Sequence, residues 1–407
     1  MRHYLLAGIF FFSVSIAPAQ YKYDNVKFKT VYLEDLCKTI QNNSDFVILD
    51  VRSKGEHDDT SSAISLNIGH LKNAINIDVR ELPTRLNELA PYHDKPIFVY
   101  CSHSQRSRRA SKMLSDSGFV KVFNINGGLT GFHLLQNDLS PCSEVLMETS
   151  VPYALLSPQQ VSANVQNKKS YYILDVRNDS VFNGTTSDER KKAMGHLQGA
   201  VNMPLNRIAV SLSSIPKTQP ILIVDDFGND SPAAAKILMD NGYKNVSVLF
   251  NGMDAWVSSQ ADPQAKLSVK WISSSDYRLL SGEAFDQLMR TGSNTVLIDV
   301  RSTEEFNNQS KNSWQNIGNI KDAQNIPASN LQEQASSLSI PKNQQVIIYS
   351  FSNSAEAFQA AKILSGMGYQ NVNVLLGGIF NLRWKAANLK GRSQLKDWVV
   401  NVPTENQ

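Results

Sequence analysis

The chain has 407 residues, which is long for one hydrophobic core and indicates two or three domains. Hydrophobic residues make up 42% of it and charged residues 19%, a composition typical of folded rather than disordered proteins. The formal net charge of +3 is small for this length, so overall charge points neither to nucleic acid nor to an anionic membrane as a partner.

The N-terminus has the order of a secretory signal peptide. A short charged start is followed by an apolar run from Tyr4 to Ile16 and then by Ala17-Pro18-Ala19. We expect residues 1–19 to be cleaved, because the apolar run is shorter than the roughly 20 residues that span a bilayer. An uncleaved membrane anchor is the alternative. The mature protein is therefore expected to be periplasmic or secreted, with no membrane attachment.

The tripeptide Asp-Val-Arg occurs three times, at intervals of about one domain. It begins at Asp50, Asp175 and Asp299, each time after a short apolar run. Similar segments follow in the same order in each copy: a glycine motif, a second apolar run, a helical Ala/Lys-rich stretch and a Gly-Phe or Gly-Tyr pair. We therefore predict three tandem domains, at 27–140, 152–262 and 275–390.

The apolar runs have the pattern of buried parallel strands joined by helices. They are short, rich in Val, Ile, Leu and Phe, and separated by helix-like segments such as Ser107 to Asp116. Each copy is therefore predicted to be a small α/β domain, with a parallel β-sheet flanked by α-helices. Ligands of such sheets lie beyond the carboxyl ends of the strands, so chemistry is expected directly after the second apolar run, Pro96 to Tyr100 in the first copy.

In the first copy this position holds a cysteine and a cationic loop. The loop reads Cys101, Ser102, His103, Ser104, Gln105, Arg106 and Ser107. Consecutive backbone amides and the start of the following helix can bind an anion, and Arg106, Arg108 and Arg109 add positive charge. These features favour a thiolate and offer hydrogen-bond donors to an anionic substrate. We predict that Cys101 is the nucleophile and that 102–107 bind substrate; a buried, inert cysteine is the alternative.

The loop, the Asp-Val-Arg tripeptides, the segment from Gly69 to Ile77 and the closing Gly127-Gly128 resemble the rhodanese (thiosulfate sulfurtransferase) superfamily. The resemblance covers nearly all of the mature chain, as three tandem rhodanese-like domains. It implies that the Cys101 thiolate takes sulfur from thiosulfate or another sulfane-sulfur donor and holds it as a persulfide. A thiol or cyanide would accept the sulfur, without a cofactor or metal. Two positions depart from the family pattern, because Ser104 replaces the usual glycine and Phe132 the usual closing tryptophan.

Two other functional classes remain open. Related phosphatases have a longer Cys-x5-Arg loop and benefit from a general acid, for which the sequence shows no clear candidate. A non-catalytic binding or scaffold protein is also possible, with Cys101 as a relic and a protein as the partner. Asp50, Arg52 and Glu56 could bind substrate. The repetition of Asp-Val-Arg in copies without the cysteine instead suggests a structural ion pair for Asp50 and Arg52.

The second and third copies are predicted to be non-catalytic. Asp225 and Ser350 occupy the position of the cysteine, and neither loop contains the arginine. Asp225, Asp226 and Asp230 of the second loop are expected to repel an anion. They could attract a cation, but a solvated, degenerate loop is favoured because no His or Cys lies near them in the sequence.

A long polar excursion follows each Asp-Val-Arg, at 58–68, 183–194 and 307–317. These excursions begin at the carboxyl ends of strands, so they could border the active face. A tolerated surface insertion is one interpretation, and binding of a protein partner is the hypothesis to test.

The cysteine count is odd, at three. Cys37 lies in an amphipathic stretch and is expected in the core, and Cys142 lies in the linker after the first domain. A Cys37–Cys142 disulfide would leave Cys101 as the free thiol, although spacing alone does not determine the pairing.

Overall fold

The computed structural model describes residues 27–43, 45–135, 146–262, 267–292, 294–335 and 338–403. Within these ranges the chain forms three copies of one α/β unit, as predicted. The expected signal peptide at 1–19 and Cys142 lie outside the described residues. None of the helices within these ranges is both long and apolar enough to cross a membrane.

The first copy contains strands and helices in alternation. Its strands are β1 (Lys29–Val31), β2 (Val47–Asp50), β3 (His70–Leu71), β4 (Ile75–Asn76), β5 (Ile97–Tyr100), β6 (Val122–Ile125) and β7 (Met147–Glu148). Its α-helices are α1 (Leu33–Gln41), α2 (Lys54–His57), α3 (Leu82–Arg85), α4 (Gln105–Asp116) and α5 (Gly128–Leu135), and 3-10 helices span Ile64–Leu66 and Leu86–Tyr92.

The second copy repeats this order. Its strands are β8 (Ala154–Leu156), β9 (Tyr172–Asp175), β10 (His196–Leu197), β11 (Val201–Asn202), β12 (Ile221–Val224), β13 (Val246–Leu249) and β14 (Trp271–Ile272). Its α-helices are α6 (Pro158–Gln166), α7 (Asp179–Phe182), α8 (Glu189–Ala193), α9 (Leu205–Ile208), α10 (Ser231–Asp240) and α11 (Gly252–Gln260), with a 3-10 helix at Leu212–Ser214.

The third copy has the same plan. Its strands are β15 (Arg278–Leu280), β16 (Thr295–Asp299), β17 (Asn319–Ile320), β18 (Gln324–Asn325), β19 (Gln345–Tyr349), β20 (Asn371–Leu375) and β21 (Val399–Val400). Its α-helices are α12 (Gly282–Arg290), α13 (Thr303–Phe306), α14 (Ala328–Gln334), α15 (Ala355–Gly366) and α16 (Gly378–Asn388), and 3-10 helices span Ser313–Gln315 and Ser393–Trp398.

Each copy contains a parallel five-stranded sheet, which confirms the predicted fold class. The strand orders are β1-β6-β5-β2-β4, β8-β13-β12-β9-β11 and β15-β20-β19-β16-β18. The strands that precede the loops are buried along nearly their whole length, which explains why they appear in the sequence as uninterrupted apolar runs. β5 is therefore the central strand of its sheet, and its carboxyl end lies between β6 and β2.

A short antiparallel ribbon fastens the segment that follows each copy to that copy. The paired strands are β3 with β7, β10 with β14 and β17 with β21. In the first copy the Asp59 carboxylate also accepts hydrogen bonds from the Gly69 amide and, across the linker, from the Ser150 amide, both at 2.8 Å.

The first two polar excursions pack against the copy that follows them. The 3-10 helix Ile64–Leu66 contacts α10 of the second copy, and α8 contacts α15 of the third. The third excursion instead leaves Trp314 62% exposed. The structure therefore gives the first two excursions an internal role, and the hypothesis of an external partner applies best to the third.

The repeated Asp-Val-Arg tripeptide forms the same buried ion pair in all three copies. The carboxylate of Asp50 lies 2.7 Å from Arg52, and the equivalent distances for Asp175 with Arg177 and Asp299 with Arg301 are 2.6 Å. Each arginine also donates to the backbone carbonyl of the following glycine motif. The pairs have the same geometry in copies with and without the cysteine, which supports the structural role inferred from the sequence.

Candidate active site

Cys101 directly follows β5 and is almost fully buried. It is the free cysteine among the described residues, and it is only 1% exposed. Its carbonyl oxygen accepts from the Leu129 amide at 3.0 Å, so the start of α5 packs closely against the loop. Gly128 makes this approach possible, because a Cβ atom there would lie 2.2 Å from the Cys101 carbonyl oxygen. Cys37, by contrast, is disulfide-bonded and 7% exposed in α1.

The middle of the loop is held by hydrogen bonds around Ser104. This residue has a φ of 84°, a left-handed conformation that favours glycine. Its hydroxyl oxygen accepts from the Gly127 amide at 2.6 Å, and its carbonyl oxygen accepts from the Ser107 hydroxyl at 3.1 Å. The Ser104 side chain therefore fixes the loop to the turn before α5, a contact that glycine could not provide.

Arg106 makes a forked ion pair with Glu56 at the mouth of the loop. Two guanidinium nitrogens donate to the two carboxylate oxygens at 2.7 Å each, and Nη2 also donates to the Ser102 hydroxyl at 3.1 Å. Burial opposes ionisation of Glu56, but the hydrogen bonds and charge of Arg106 outweigh it and lower the pKa of Glu56. The hydrogen bonds that Arg106 donates to Glu56 raise the pKa of Arg106, and the interaction with Cys101 adds to the shift.

His103 lies beside α5 on the exposed side of the loop. Its Nε2 is 3.1 Å from the Thr130 hydroxyl oxygen. Desolvation by the surrounding protein lowers the pKa of His103, although part of the residue remains exposed, and the charge of Arg106 lowers it further. The imidazole is therefore neutral at pH 7, which makes it a neutral rather than a cationic contact for substrate.

The second copy shows what the loop backbone can bind. The carboxylate of Asp225 accepts hydrogen bonds from the amides of Gly228, Asp230 and Ser231 at 2.5, 2.6 and 2.8 Å. Burial raises the pKa of Asp225, and these amides oppose the shift. The loop's own carboxylate therefore occupies its backbone amides, and the expectation that this loop repels an external anion stays a prediction.

We call this set of three amides the anion cradle. Counted from the residue after the strand, Gly228 and Ser104 are both fourth, and their φ values are 81° and 84°. The equivalent donors in the first copy are thus the amides of Ser104, Arg106 and Ser107, and Cys101 takes the place of Asp225. Because the fourth residue of both loops has the same left-handed conformation, we expect the first loop to present a similar cradle to a negative charge on the Cys101 side chain.

The carboxylate of Asp226 in the second loop is already neutralised. It lies 3.3 Å from Arg177 and 3.1 Å from Lys191. The described residues contain no group of three or more His, Cys, Asp or Glu side chains that could hold a metal ion.

The third loop lacks the cradle geometry. None of the residues 350–356, all of which the structure describes, has a positive φ. The Ser350 hydroxyl accepts from Ser354 at 2.7 Å. The rings of Phe351 and Phe380 stack 5.6 Å apart, in positions that correspond to Ser102 and Thr130 in the first copy. In the third copy, aromatic side chains therefore stand where the first copy has the polar side chains of Ser102 and Thr130.

A cavity of about 250 Å³ separates the first loop from the second copy. On one side it is lined by Glu56, Ser102, His103 and Thr130, among others, and on the other by Phe227, Gly228, Asn229, Phe250 and others. Phe250 also packs against His133 of α5, with ring centroids 4.7 Å apart and the ring planes tilted by 33°. The degenerate second loop thus forms one wall of the cavity that opens at the first loop.

The predicted substrate-binding residues of the loop differ in whether they line the cavity. Ser102 and His103 line the cavity, Ser104 and Ser107 are buried in the loop interior, and Gln105 is exposed at the start of α4. Helix α4 begins two residues earlier than expected, so Arg106 lies in its first turn.

Arg108 has a different role from the one expected. Its guanidinium donates to Asn126 at 3.1 Å and to the carbonyl oxygen of Ala387, in the third copy, at 3.1 Å. It is therefore a structural contact rather than a donor to substrate. The sequence pattern also missed Thr130 and Asn229, because nothing local marks a residue that reaches the site only through folding.

The family comparison matches all three copies. The sequence profile of the rhodanese-like domain fits residues 33–135, 157–259 and 281–386. The chain belongs to the rhodanese-like domain family. This confirms the resemblance inferred from the loop and the repeated tripeptides.

Individual relatives align over about one domain. The chain is 31% identical over 102 residues to a tRNA uridine(34) hydroxylase of Cytophaga hutchinsonii, covering 24% of this chain and 30% of that protein. It is 36% identical over 109 residues to the adenylyltransferase and sulfurtransferase UBA4 of Candida albicans, covering 25% and 23%. The chain therefore spans less than a third of the length of either relative.

Solved structures also align with much of the chain. A thiosulfate sulfurtransferase from Pseudomonas aeruginosa has 18% identity and a TM-score of 0.23, with 86% of this chain and 66% of that chain covered. The wild-type structure of EanB has 15% identity and a TM-score of 0.28, with 89% and 97% covered.

Proposed function

We propose that this protein is an exported sulfurtransferase that moves sulfane sulfur from thiosulfate, or a related donor, to a small acceptor through a persulfide on Cys101. The observation that carries the proposal is the anion cradle. In the second copy its amides bind a carboxylate, and in the first copy Cys101 replaces that carboxylate. A thiolate or persulfide anion at this position would receive the same three hydrogen bonds.

The proposed reaction has two steps. The Cys101 thiolate attacks the outer sulfur of thiosulfate, so that a bond forms between the two sulfurs while the bond to the sulfonate breaks and sulfite leaves with its electron pair. Cyanide or a thiolate then attacks the outer sulfur of the persulfide, forming thiocyanate or a new persulfide and returning the Cys101 thiolate. No external oxidant or reductant is needed.

Arg106 is the proposed contact for the anionic donor. Its guanidinium is shared with Glu56, so a donor anion competes with a carboxylate that is itself almost buried. This arrangement keeps the cation in place before substrate arrives, and it limits how much negative charge the site tolerates. Ser102 and His103 complete the proposed contacts, because both line the cavity.

The cavity is the proposed entrance for the sulfur acceptor. Its volume of about 250 Å³ suits a small molecule. Its second-copy wall contributes the Phe227 and Phe250 rings and the amide of Asn229, so the acceptor is expected to be a small thiol rather than a strongly anionic one.

Sulfite release tests the proposal. Without an acceptor, purified protein mixed with thiosulfate should release one sulfite per chain and then stop. Added cyanide should then restart turnover and yield thiocyanate. Absence of both the initial sulfite and thiocyanate would exclude sulfur transfer from thiosulfate.

We expect Arg106→Lys to weaken the use of thiosulfate. Lysine keeps the charge but loses the fork that contacts Glu56 and Ser102, and the loss of charge-assisted hydrogen bonds should reduce kcat/KM roughly tenfold to hundredfold. Steady-state thiocyanate formation measures this. Arg207→Lys, at an exposed arginine paired with Asp179, is the matched control and should leave kcat/KM unchanged. Equal losses of kcat/KM in Arg106→Lys and Arg207→Lys would show that Arg106 does not contact the donor.

A cysteine alone should not activate the second copy. In the double variant Cys101→Ser and Asp225→Cys, the new thiol would have the amide cradle, but no arginine takes the place of Arg106 in that loop. We therefore expect no thiocyanate above background. Transplanting the whole sequence of 101–107 into 225–231 should restore some activity. Turnover in the cysteine-only variant would show that the amides suffice without the guanidinium.

A non-catalytic binding protein is the second candidate. The observation that favours it is the closed resting site, in which Cys101 is 1% exposed and Arg106 is bound by Glu56. In that case thiosulfate would leave Cys101 unmodified, and the cavity would bind a ligand without turnover.

The proposed export is supported by two features. The order of residues 1–19 is that of a signal peptide. The disulfide of Cys37 is of a kind that persists outside the reducing cytosol. Cell fractionation of the full chain, followed by N-terminal sequencing, should find the protein outside the cytoplasm with Gln20 as its first residue. A cytoplasmic protein with an intact N-terminus would contradict export.

A further inference from the structure

The third copy contacts the proposed catalytic loop through the end of α16. The Trp384 indole N–H donates to the carbonyl oxygen of His103 at 3.3 Å. The carbonyl oxygen of Ala387 accepts from the Arg108 guanidinium at 3.1 Å and from the side-chain amide of Asn126 at 2.9 Å. The Arg108 guanidinium also donates to the side-chain oxygen of Asn388 at 3.4 Å. Four hydrogen bonds therefore join a copy without the cysteine to residues in and around the loop that has it.

The contacts of Arg108 and Asn126 are buried. Arg108 is 7% exposed and Asn126 is fully buried. The carboxyl end of a helix carries partial negative charge, and α16 ends at Asn388, so its last carbonyl groups stabilise a guanidinium there. Because a buried cation is costly without such partners, the third copy forms part of the environment that Arg108 requires.

Both buried residues are linked to Ser104. The Arg108 amide donates to the Ser104 carbonyl oxygen at 2.9 Å, and Gly127, next to Asn126, donates to the Ser104 hydroxyl oxygen at 2.6 Å. Ser104 has the left-handed conformation on which the cradle depends. A non-glycine residue in this conformation needs support from its surroundings, and α16 contributes to it indirectly, through the side chains of Arg108 and Asn126.

We propose that the third copy is a positioning element for the catalytic loop, with Trp384 and Arg108 as positioning residues that act through His103 and Ser104. The kinetic part of this proposal rests on the proposed function. Its structural part does not, because the arrangement of the loop can be measured without sulfur transfer.

Trp384→Phe in the full-length mature chain is the test. It removes the indole N–H and keeps an aromatic ring. The loosened loop should exchange amide hydrogens faster in a peptide that covers 101–107 and should let iodoacetamide alkylate Cys101 several-fold faster. The loss of one hydrogen bond should also raise the KM for thiosulfate about fivefold, with kcat changed less than twofold. Alkylation of Cys101 would thus become faster while the use of thiosulfate becomes less efficient.

Trp314→Phe is the matched control. It makes the same change at an exposed tryptophan of the same copy and should leave the exchange, the alkylation and the KM as in the wild type. Arg108→Met should raise the exchange, the alkylation and the KM more than Trp384→Phe does. Arg108→Lys should bring these values part of the way back to the wild type, because it keeps the positive charge at the helix end. A thermal unfolding measurement on each variant accompanies these assays.

Wild-type exchange and alkylation in Trp384→Phe would overturn the proposal. So would equal changes in Trp384→Phe and Trp314→Phe together with a lowered melting temperature, since these would report general destabilisation. If the wild-type protein takes no sulfur from thiosulfate, the proposed function fails. The exchange and alkylation results would still decide whether the third copy positions the loop.

Discussion

Cys101→Ser should abolish thiocyanate formation from thiosulfate and cyanide while the protein stays folded. Serine nearly preserves the volume of the side chain, but its oxygen cannot form a persulfide, so the intermediate of the proposed reaction is lost. The expected activity is that of the buffer alone. Thermal unfolding should shift by only a few degrees, because the substitution creates little empty space.

The conservative nature of this variant makes its result easy to interpret. Cys101 packs against the core of its domain, so the melting temperature of the Cys101→Ser variant must be measured together with its activity. Retained turnover in a folded Cys101→Ser protein would contradict the proposed mechanism. Loss of turnover together with unfolding would be resolved by Cys101→Ala, which tests the same chemistry without burying a hydroxyl group.

Asp50→Asn should cause the largest loss of stability that we expect from a single substitution. Asp50 accepts hydrogen bonds from Arg52 and from the Tyr100 hydroxyl, and all three residues are fully buried. It also lies 3.0 Å from Nδ1 of His57, which is partly buried. Removing its charge leaves the Arg52 guanidinium buried without a counterion. Such a change typically costs roughly 3–5 kcal/mol in the free energy of unfolding.

The equivalent residues provide the comparison for this prediction. Asp175→Asn breaks the same kind of ion pair, but Val224 stands where Tyr100 stands in the first copy, so the loss should be smaller. Denaturant unfolding of the full chain, followed by probes in each copy, measures the difference. Equal stability of Asp50→Asn and wild type would contradict the structural role that we assign to the repeated tripeptide.

The same carboxylate gives a pH dependence. Burial raises the pKa of Asp50, but the hydrogen bonds of His57 and Arg52 and the charge of Arg52 outweigh it, and the pKa falls from 3.8 to about 2. A depressed pKa contributes stability above the unfolded value, and that stability is lost as the pH falls from about 4 to about 2. The contribution is about 2 kcal/mol, and it should be absent in Asp50→Asn.

The repeated architecture could be predicted because its determinants are local. The apolar runs before Cys101, Asp225 and Ser350 became β5, β12 and β19, since a strand buried on both faces has few polar residues. The resemblance of the loop to a known family was sufficient to nominate Cys101, and the structure places that residue at the carboxyl end of a central strand. Both features depend on residues close together in the sequence.

The partners of the loop could not be predicted, because they come from distant parts of the chain. Glu56 is 50 residues from Arg106, and Trp384 is 281 residues from His103. The sequence predicted an anion-binding set of backbone amides in the first loop, but not that the amides of the second loop bind its own Asp225 carboxylate.

Mass spectrometry of the Cys101 peptide after thiosulfate treatment shows whether Cys101 takes up sulfur. The mature protein is incubated with thiosulfate, freed of excess donor, digested without reductant and compared with the same sample treated with cyanide. We expect one added sulfur atom on the peptide that contains Cys101, removed by cyanide and absent in Cys101→Ser. An unmodified Cys101 peptide, or sulfur that cyanide does not remove, would contradict it.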